Sequence, residues 1–260
     1  MTPPLPPKKS LGQHWLHDTD SLEAMAEAAD VQPDDTVLEI GPGLGTLTAI
    51  LAERAGQVIA IELDKKLAAD LPGHVAASNL QVVNQDILEF DFTSLPADYK
   101  LVANIPYYLT GHLLRLLSET PNPPQIVALL VQKEVAQRVA AEPGALSILA
   151  VTTQFYWQVS LGAVIPAELF TPPPKIDSQI LVLQRRPKPL FIADPKDFFR
   201  LVKAGFAQPR KTLLNNLANG LKLSKDEVQT LCQAAGLAPA RRAQTLSLPE
   251  WHQLYQALHA

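Results

Sequence analysis

The first two thirds of the chain alternate short apolar runs with segments whose apolar residues recur at helical spacing. Residues 37–40 form an apolar run, a glycine-rich loop follows, and residues 46–55 carry leucine and isoleucine on one helical face. Gly56 is the predicted end of that helix, and residues 57–61 form the next apolar run. This order predicts a strand, a glycine loop, a helix and a second strand, which is the βαβ unit of nucleotide-binding domains.

The same alternation continues to about residue 183. Further strands are predicted at 80–83, 100–103, 125–131, 157–164 and 179–183, separated by helices at 65–71, 110–117, 133–141 and 146–154. The last segment has only helical periodicity, with helices predicted at 196–206, 211–219, 225–235 and 249–258. We therefore predict an α/β fold with a Rossmann-like, mostly parallel sheet of seven strands and a small all-α C-terminal domain.

Charge is distributed unevenly along the chain, whose net charge is −4. Residues 1–184 hold 10 Lys and Arg against 21 Asp and Glu, a net −11, whereas residues 185–260 hold 12 against 5, a net +7. The pairs Arg210, Lys211 and Arg241, Arg242 lie in this basic segment. A nucleic-acid phosphate backbone is the partner that such a segment favours, although solvated helix faces also carry charge clusters.

Composition sets outer limits on the class of protein. A chain of 260 residues with 47% hydrophobic content can bury a large core, and its single cysteine, Cys232, excludes an internal disulfide and a thiolate-rich metal site. Polar residues interrupt the uncharged stretch 143–167, and no signal-peptide core begins the chain, so we predict neither a membrane span nor export. We expect a cytoplasmic, monomeric enzyme that needs no metal.

The glycine loop separates two classes of cofactor. Gly41, Gly43 and Gly45 form G-x-G-x-G, which is one residue tighter than the dinucleotide fingerprint. Glu39, two residues before the loop, would repel a pyrophosphate but suits a cofactor that carries an amino group and a sulfonium. The loop therefore favours S-adenosylmethionine over NAD. Glu62, at the end of the second strand, is predicted to accept hydrogen bonds from ribose hydroxyls.

Polar motifs follow two later strands, at the carboxyl edge where open α/β sheets bind ligands. Asp86 follows the third strand and is predicted to accept from an adenine amino group, or to cap a turn. After the fourth strand, Pro106 confines Ile105 to extended geometry, so that the Ile105 carbonyl and the Asn104 amide oxygen can hold one exocyclic amine. Tyr107 would stack on the ring of that base, although Asn-x-Pro is also an ordinary turn.

Two further segments are predicted to border the cleft. Residues 1–17 form an arm that can fold over the cofactor as a lid, with Lys8 and Lys9 available to RNA; His14 in this arm is equally compatible with a surface position. A proline-rich connection at 166–178 can hold Phe170 at the cleft mouth as a second stacking surface, or use it as a buried anchor. We place a catalytic domain at 18–187 and a basic helical RNA-binding domain at 188–260.

Assembled in order, the motifs resemble the KsgA-type small-subunit ribosomal RNA adenine dimethyltransferases. The similarity runs from about residue 9 to residue 258 and rests on SLGQHWL, LEIGPGLGTLT, IELD, NIPYYLT, FTPPPKIDS and FAQPRKTLLNNL. The resemblance implies a class I S-adenosylmethionine-dependent methyltransferase fold. It also implies dimethylation of N6 on two adjacent adenosines in a hairpin near the 3′ end of 16S rRNA, with the immature small ribosomal subunit as partner.

The resemblance implies roles for individual residues as well. Six positions match the family's cofactor contacts: His14, Leu16, Gly41, Glu62, Asp86 and Asn104. Tyr107 and Phe170 match its target-base aromatic residues. The chain departs from the family at Trp15, where phenylalanine is usual, at Pro209, where a basic residue is common, and at Gln244, where glutamate is frequent. These departures bear on lid packing and RNA contacts rather than on the chemistry.

Three other functions stay open at this point. A large-subunit rRNA adenine dimethyltransferase would share the cofactor loop and the NIPY motif. An assembly factor would bind immature small subunits without needing catalysis. An NAD-dependent oxidoreductase would share only the βαβ layout.

Overall fold

A computed structural model describes residues 12–260 of the chain. The chain divides into two compact units, Met1–Ala136 with Gln158–Arg185, and Gln137–Trp157 with Arg186–Ala260. Lys8 and Lys9 lie outside the described residues, so their predicted contact with RNA stays a prediction. Within the described part of the chain, no helix combines the length and the apolar character that crossing a bilayer requires.

The first unit is built around nine short strands and the helices between them. The strands are β1 (Trp15–Leu16), β2 (Thr36–Ile40), β3 (Gln57–Glu62), β4 (Leu80–Asn84), β5 (Lys100–Asn104), β6 (Ile126–Gln132), β7 (Trp157–Ile165), β8 (Phe170–Thr171) and β9 (Ser178–Arg185). The helices are α1 (Thr19–Ala28), α2 (Thr46–Arg54), α3 (Lys65–His74), α4 (Thr110–Glu119) and α5 (Lys133–Val139), the last of which continues into the second unit.

Seven of these strands form one sheet in the order β4-β3-β2-β5-β6-β9-β7. The strands β4, β3, β2, β5 and β6 run parallel, and β9 pairs antiparallel with β6. The central strands β2, β5 and β6 are buried almost throughout, as expected when helices cover both faces of a parallel sheet. The predicted α/β fold with a mostly parallel seven-stranded sheet is confirmed.

A separate two-stranded sheet joins the N-terminal segment to the proline-rich connection. Trp15 of β1 pairs antiparallel with Thr171 of β8, and Leu16 pairs with Phe170. Leu16 and Phe170 are both 2% exposed and belong to the same apolar core as the buried residues of β2 and α1. Residues from the two ends of the catalytic fold are thereby fixed side by side.

Helix α2 ends differently from the sequence-based expectation. The helix stops at Arg54, Ala55 is extended, and Gly56 does not adopt the left-handed conformation of a glycine cap. A Cβ at Gly56 would lie 2.7 Å from the carbonyl oxygen of Pro33, so glycine is needed there for close backbone approach.

The second unit is helical, with α6 (Ile148–Tyr156), α7 (Pro195–Gly205), α8 (Leu213–Leu221), α9 (Lys225–Ala234) and α10 (Leu248–Leu258). Capping boxes begin α9 and α10, because Ser224 and Ser247 each exchange hydrogen bonds with a glutamate three residues later. This division groups residues 137–157 with the helical unit, whereas the sequence analysis placed them in the catalytic domain, so that boundary stays a prediction. The α6 residue Phe155 packs in one core with α7 and α10, stacking on Phe198 at 5.2 Å, since apolar residues on α6 face those helices.

Candidate active site

A cavity of about 150 Å³ opens in the first unit at the carboxyl ends of four parallel strands. The residues after β2 supply the glycine loop, β3 supplies Glu62, the turn after β4 supplies Asp86, and β5 supplies Asn104. Because parallel strands end at one edge of the sheet, residues far apart in sequence converge there. All seven predicted cofactor contacts and the residues 104–107 line this cavity: His14, Leu16, Gly41, Gly43, Glu62, Asp86, Asn104, Ile105, Pro106 and Tyr107.

The glycine loop needs glycine for two reasons: a neighbouring side chain packs closely against it, and its backbone adopts left-handed φ angles. Gly43 has φ +57°, and a Cβ there would lie 2.6 Å from the ring of Trp15. Gly45 has φ +86° and begins α2. A Cβ at Gly41, in contrast, would have nothing within 4 Å, so open space lies beside the loop at that position. The N–H of Gly41 donates to the Ile61 carbonyl at 2.9 Å, which ties the loop to β3.

Two buried carboxyl groups lie on the cavity wall. Glu62 is 5% exposed and accepts hydrogen bonds from the N–H groups of Gly43 (3.2 Å) and Asp64 (2.8 Å). Burial raises its pKa, and these two hydrogen bonds oppose the rise. Its carboxylate is therefore fixed at the tip of β3, where the sequence predicted a ribose acceptor.

Glu39 is the more strongly perturbed of the two carboxyl groups. It is 2% exposed, and its Oε2 has no hydrogen-bond partner among residues 12–260. Burial raises the pKa of Glu39 to about 8, the Thr48 hydroxyl opposes this rise, and the Glu62 carboxylate adds to it. A buried carboxyl that has one oxygen without a hydrogen-bond partner, beside a cavity, suits a cationic group of a ligand.

Asp86 serves the local backbone while it lines the cavity. Its Oδ1 accepts from the N–H of Leu88 at 2.9 Å and caps the short 3₁₀ helix Ile87–Glu89. The predicted turn cap is therefore present. The cap uses only Oδ1, so the other carboxylate oxygen of Asp86 is available to a ligand. The adenine contact predicted for Asp86 stays a prediction.

The amide of Asn104 is oriented by the N-terminal segment. Its Nδ2 donates to the backbone carbonyl of His14 at 3.3 Å, which leaves Oδ1 as an acceptor for another group. The His14 ring is held in turn, because its Nδ1 donates to the Pro172 carbonyl at 2.6 Å. Thr46 at the start of α2 also binds this segment, donating to the Leu16 carbonyl at 3.1 Å.

Tyr107 lies beside the same segment. Its ring stacks on His14 with centroids 5.8 Å apart and planes 20° apart, and its hydroxyl forms a 2.8 Å hydrogen bond with the hydroxyl of Ser178. Burial raises the pKa of Tyr107, so the phenol is neutral at physiological pH. Across residues 12–260, no three His, Cys, Asp or Glu side chains are grouped so as to hold a metal ion.

Comparison with known proteins identifies the family. The family model described as ribosomal RNA adenine dimethylase matches residues 6–260. The chain belongs to this family. A ribosomal RNA small subunit methyltransferase A from Dehalococcoides mccartyi is 44% identical, covering 95% of this chain and 87% of the relative. A protein of the same description from Alkaliphilus metalliredigens is 40% identical, covering 97% of this chain and 92% of the relative.

Solved structures of other enzymes have a fold similar to that of this chain. The crystal structure of 23S rRNA methyltransferase ErmE has a TM-score of 0.76 at 28% identity and covers 95% of this chain and 100% of its own. A dimethyladenosine transferase from Plasmodium falciparum has a TM-score of 0.79 at 24% identity, covers 94% of this chain and 97% of its own, and shows the fold alone. The predicted class I S-adenosylmethionine-dependent methyltransferase fold is confirmed.

Phe170 is placed differently from the other predicted site residues of this adenine dimethylase. It is 2% exposed within the core, and it is not among the described residues that line the cavity. Of the two uses weighed for it, the structure supports the buried anchor, because the side chain of Phe170 packs in the apolar core together with Leu16. Its role as a second stacking surface stays a prediction.

The predicted RNA-binding residues of the second unit divide into two kinds. Arg210, Lys211 and Arg242 are exposed. Arg241 instead donates to Glu250 through its two terminal guanidinium nitrogens, Nη1 and Nη2, the second at 3.2 Å, and it lowers the pKa of that carboxyl. It also donates to Thr245, so Arg241 is committed to the helical unit.

Sequence reasoning missed several residues of the cavity wall. Leu63 and Leu88 line the cavity and are 50% and 44% exposed, which is high for leucine. The sequence does carry one indication of their role. Leu63 directly follows Glu62 and Leu88 is two residues after Asp86, and an apolar residue beside each acceptor can cover a purine ring. Tyr108, 61% exposed, also lines the cavity beside Tyr107.

Proposed function

We propose that this protein transfers methyl groups from S-adenosylmethionine to N6 of two adjacent adenosines in the 3′-terminal hairpin of 16S rRNA, giving N6,N6-dimethyladenosine. The observation that carries the proposal is the orientation of Asn104. Its amide nitrogen is engaged by the His14 carbonyl, so its oxygen is left as an acceptor in the same cavity as the glycine loop and Glu62. An acceptor at that point suits an exocyclic amine.

The cavity residues fit S-adenosylmethionine. The Glu62 side chain is fixed at the end of β3, where it would accept from the ribose hydroxyls, and Asp86 would accept from the adenine amino group. The open space beside Gly41 allows a ligand to approach the backbone. The unpartnered Oε2 of Glu39 would face the cationic end of the cofactor. When bound, S-adenosylmethionine supplies an electrophilic methyl group on a sulfonium.

The remaining residues of the site would hold the target adenine. The Asn104 oxygen and the Ile105 carbonyl would each accept one hydrogen of the exocyclic amine, which draws the nitrogen lone pair out of conjugation with the ring. Tyr107, constrained by Pro106, would stack on the base and offset part of the cost of flipping it out, about 1–3 kcal/mol per stacked base. Positioning and electrostatics then supply the rate. The methylated nitrogen is acidic enough to release its proton to water.

The exposed cations of the second unit would hold the rRNA backbone. Arg210, Lys211 and Arg242 have their side chains in solvent, and the segment 185–260 has a net charge of +7. We also propose that binding assists maturation of the small subunit. An assembly factor whose binding role outweighs catalysis is one outcome of the experiment below.

The experiment uses small subunits that lack the modification, with large subunits as the comparison substrate. We expect mass spectrometry of digested rRNA to show N6,N6-dimethyladenosine in the small-subunit RNA only. Asn104→Ala should retain the fold and RNA binding but lose at least about 100-fold in rate, since one of two acceptors for the amine is gone. Methylation of the large subunit alone would refute the substrate assignment. Full complementation of subunit maturation by Asn104→Ala would favour the assembly factor.

A further inference from the structure

We infer that Ser178 is a positioning residue for the target-base site, acting through the hydroxyl of Tyr107. This inference rests on the proposed function, because it assigns Tyr107 to the target adenine. The observation is the 2.8 Å hydrogen bond between the two hydroxyl oxygens, which joins residues 71 positions apart in the sequence.

Ser178 is fixed more firmly than the residue it holds. It is 0% exposed and begins β9, where it pairs with Gln132 of β6. The preceding residue is fixed as well, because the Asp177 carbonyl accepts from the N–H of Lys133 at 3.0 Å, and the Asp177 carboxylate accepts from the N–H of Ala167 at 3.1 Å. The serine hydroxyl is therefore a rigid point at the edge of the sheet.

Tyr107 lies in a short turn, so contacts from other segments of the chain position its ring. It follows Pro106 in a single 3₁₀ turn, Tyr107–Leu109, rather than in a long helix or a strand. Two contacts restrict its ring: His14 stacks on it at 5.8 Å, and Ser178 holds its hydroxyl. A ring fixed at both its face and its tip presents a defined surface to a base before that base arrives, which lowers the entropic cost of stacking.

The hydrogen bond also gives the hydroxyl of Tyr107 a role that phenylalanine at this position could not fill. The Tyr107 hydroxyl is in a partly buried environment that raises its pKa, while Ser178 opposes the rise. Removing Ser178 would leave this hydroxyl without its partner, and the ring would turn toward water. A loss in the rate of methyl transfer follows without loss of the cofactor cavity, because Ser178 is not among the described residues that line it.

A double-mutant cycle tests the inference. Tyr107→Phe, Ser178→Ala and the double variant are assayed for methyl transfer to unmethylated small subunits at saturating S-adenosylmethionine. Each single change should lower kcat about two- to ten-fold, the range that one hydrogen bond supports. The double variant should be no slower than the slower single variant, because both changes remove the same bond. Losses that multiply in the double variant would overturn the inference.

Matched controls separate positioning from general destabilisation. Tyr99→Phe removes a buried tyrosine hydroxyl of the same unit, whose 3.2 Å hydrogen bond goes to the Asn122 carbonyl, and Tyr99 is not among the described cavity residues. It should lower the melting temperature and leave kcat unchanged; an equal loss of kcat there would overturn the inference. Ser178→Cys keeps the side-chain volume with a weak hydrogen-bonding group, so it should behave like Ser178→Ala. Full activity of Ser178→Cys would mean that Ser178 only fills space.

The outcomes also distinguish this inference from the proposed function. A parent protein that methylates no rRNA adenosine refutes the function itself, whereas an active parent with multiplying losses refutes only the role of Ser178. The rise in melting temperature on adding S-adenosylmethionine should be equal in the parent and in all three variants. If Ser178→Ala does not fold, Ser178→Cys takes its place in the cycle.

Discussion

Glu39 is a buried carboxyl group whose replacement should change how the stability of the protein depends on pH. It is 2% exposed, and burial raises its pKa from 4.5 to about 8. Glu39→Gln keeps the size and shape of the side chain and removes the ionisation. The comparison of parent and variant over a pH range therefore isolates this one titration.

The sign and size of the effect follow from the two pKa values. Between pH 4.5 and about 8, the unfolded chain has lost the proton of Glu39 while the folded protein keeps it, so the free energy of unfolding falls as pH rises. The slope is at most about 1.4 kcal/mol per pH unit and becomes shallower near each pKa, which gives up to about 3.5 kcal/mol between pH 5 and pH 8. Burial raises the pKa of Glu62 as well, so Glu62 also lowers the free energy of unfolding as pH rises, in both the parent and the Glu39→Gln variant.

The assay is urea unfolding of the cofactor-free protein at several pH values in this range. The difference in unfolding free energy, variant minus parent, should grow in favour of Glu39→Gln by up to about 3.5 kcal/mol from pH 5 to pH 8. Glu53→Gln makes the same chemical change at an exposed position of α2 and is the matched control. A constant difference for Glu39→Gln would show that this carboxyl is not held neutral, and the account of its burial would be wrong.

The other predictions concern the cofactor, the glycine loop and the basic unit. S-adenosylmethionine should raise the melting temperature while NAD should not, and Glu62→Ala should shrink that rise; equal rises in variant and parent would show that Glu62 is not the ribose acceptor. Gly43→Ala should abolish the same rise, because a Cβ there would lie 2.6 Å from the Trp15 ring. Reversing Arg210 and Lys211 to glutamate should raise the Kd for RNA and reduce its logarithmic salt slope by about 2 without changing the melting temperature, and unchanged affinity would remove the basic-surface proposal. Arg241→Glu should instead destabilise the second unit by on the order of 1–2 kcal/mol, measured by urea unfolding, because it breaks the pair with Glu250.

The strands and the cofactor loop could be predicted because their causes are local. Buried parallel strands read as unbroken apolar runs, as in β2 and β6, and the positive φ angles of Gly43 and Gly45 require glycine wherever the chain turns that way. Asn104 and Glu62 could be placed together because both end parallel strands of one sheet.

The features that sequence reasoning missed depend on which distant residue lies opposite. Gly56 was assigned to a helix cap, whereas the carbonyl of Pro33 is what excludes a side chain there. For Phe170 the sequence allowed a stacking surface or a buried anchor, and its packing in the core beside Leu16 is what distinguishes the two. Arg241 belongs to a basic pair in sequence, and its commitment to Glu250 appears only when α10 is in place. Ser178 lies 71 positions from Tyr107 in the sequence, so nothing local to either residue indicates their hydrogen bond.

The pairing of β1 with β8 has a consequence for synthesis of the protein on the ribosome. His14, whose carbonyl orients Asn104, is itself held by Pro172, which is 158 residues later in the chain. Closing so long a loop costs conformational entropy, so we expect the contacts between the two segments to form late in folding. The glycine loop, Glu62 and Asn104 therefore leave the exit tunnel well before the segment that orders the N-terminal wall around them. A nascent chain that ends before Pro172 has these chemical groups but lacks the His14–Pro172 contact, so we expect it to be inactive beside the rRNA of the ribosome that is making it.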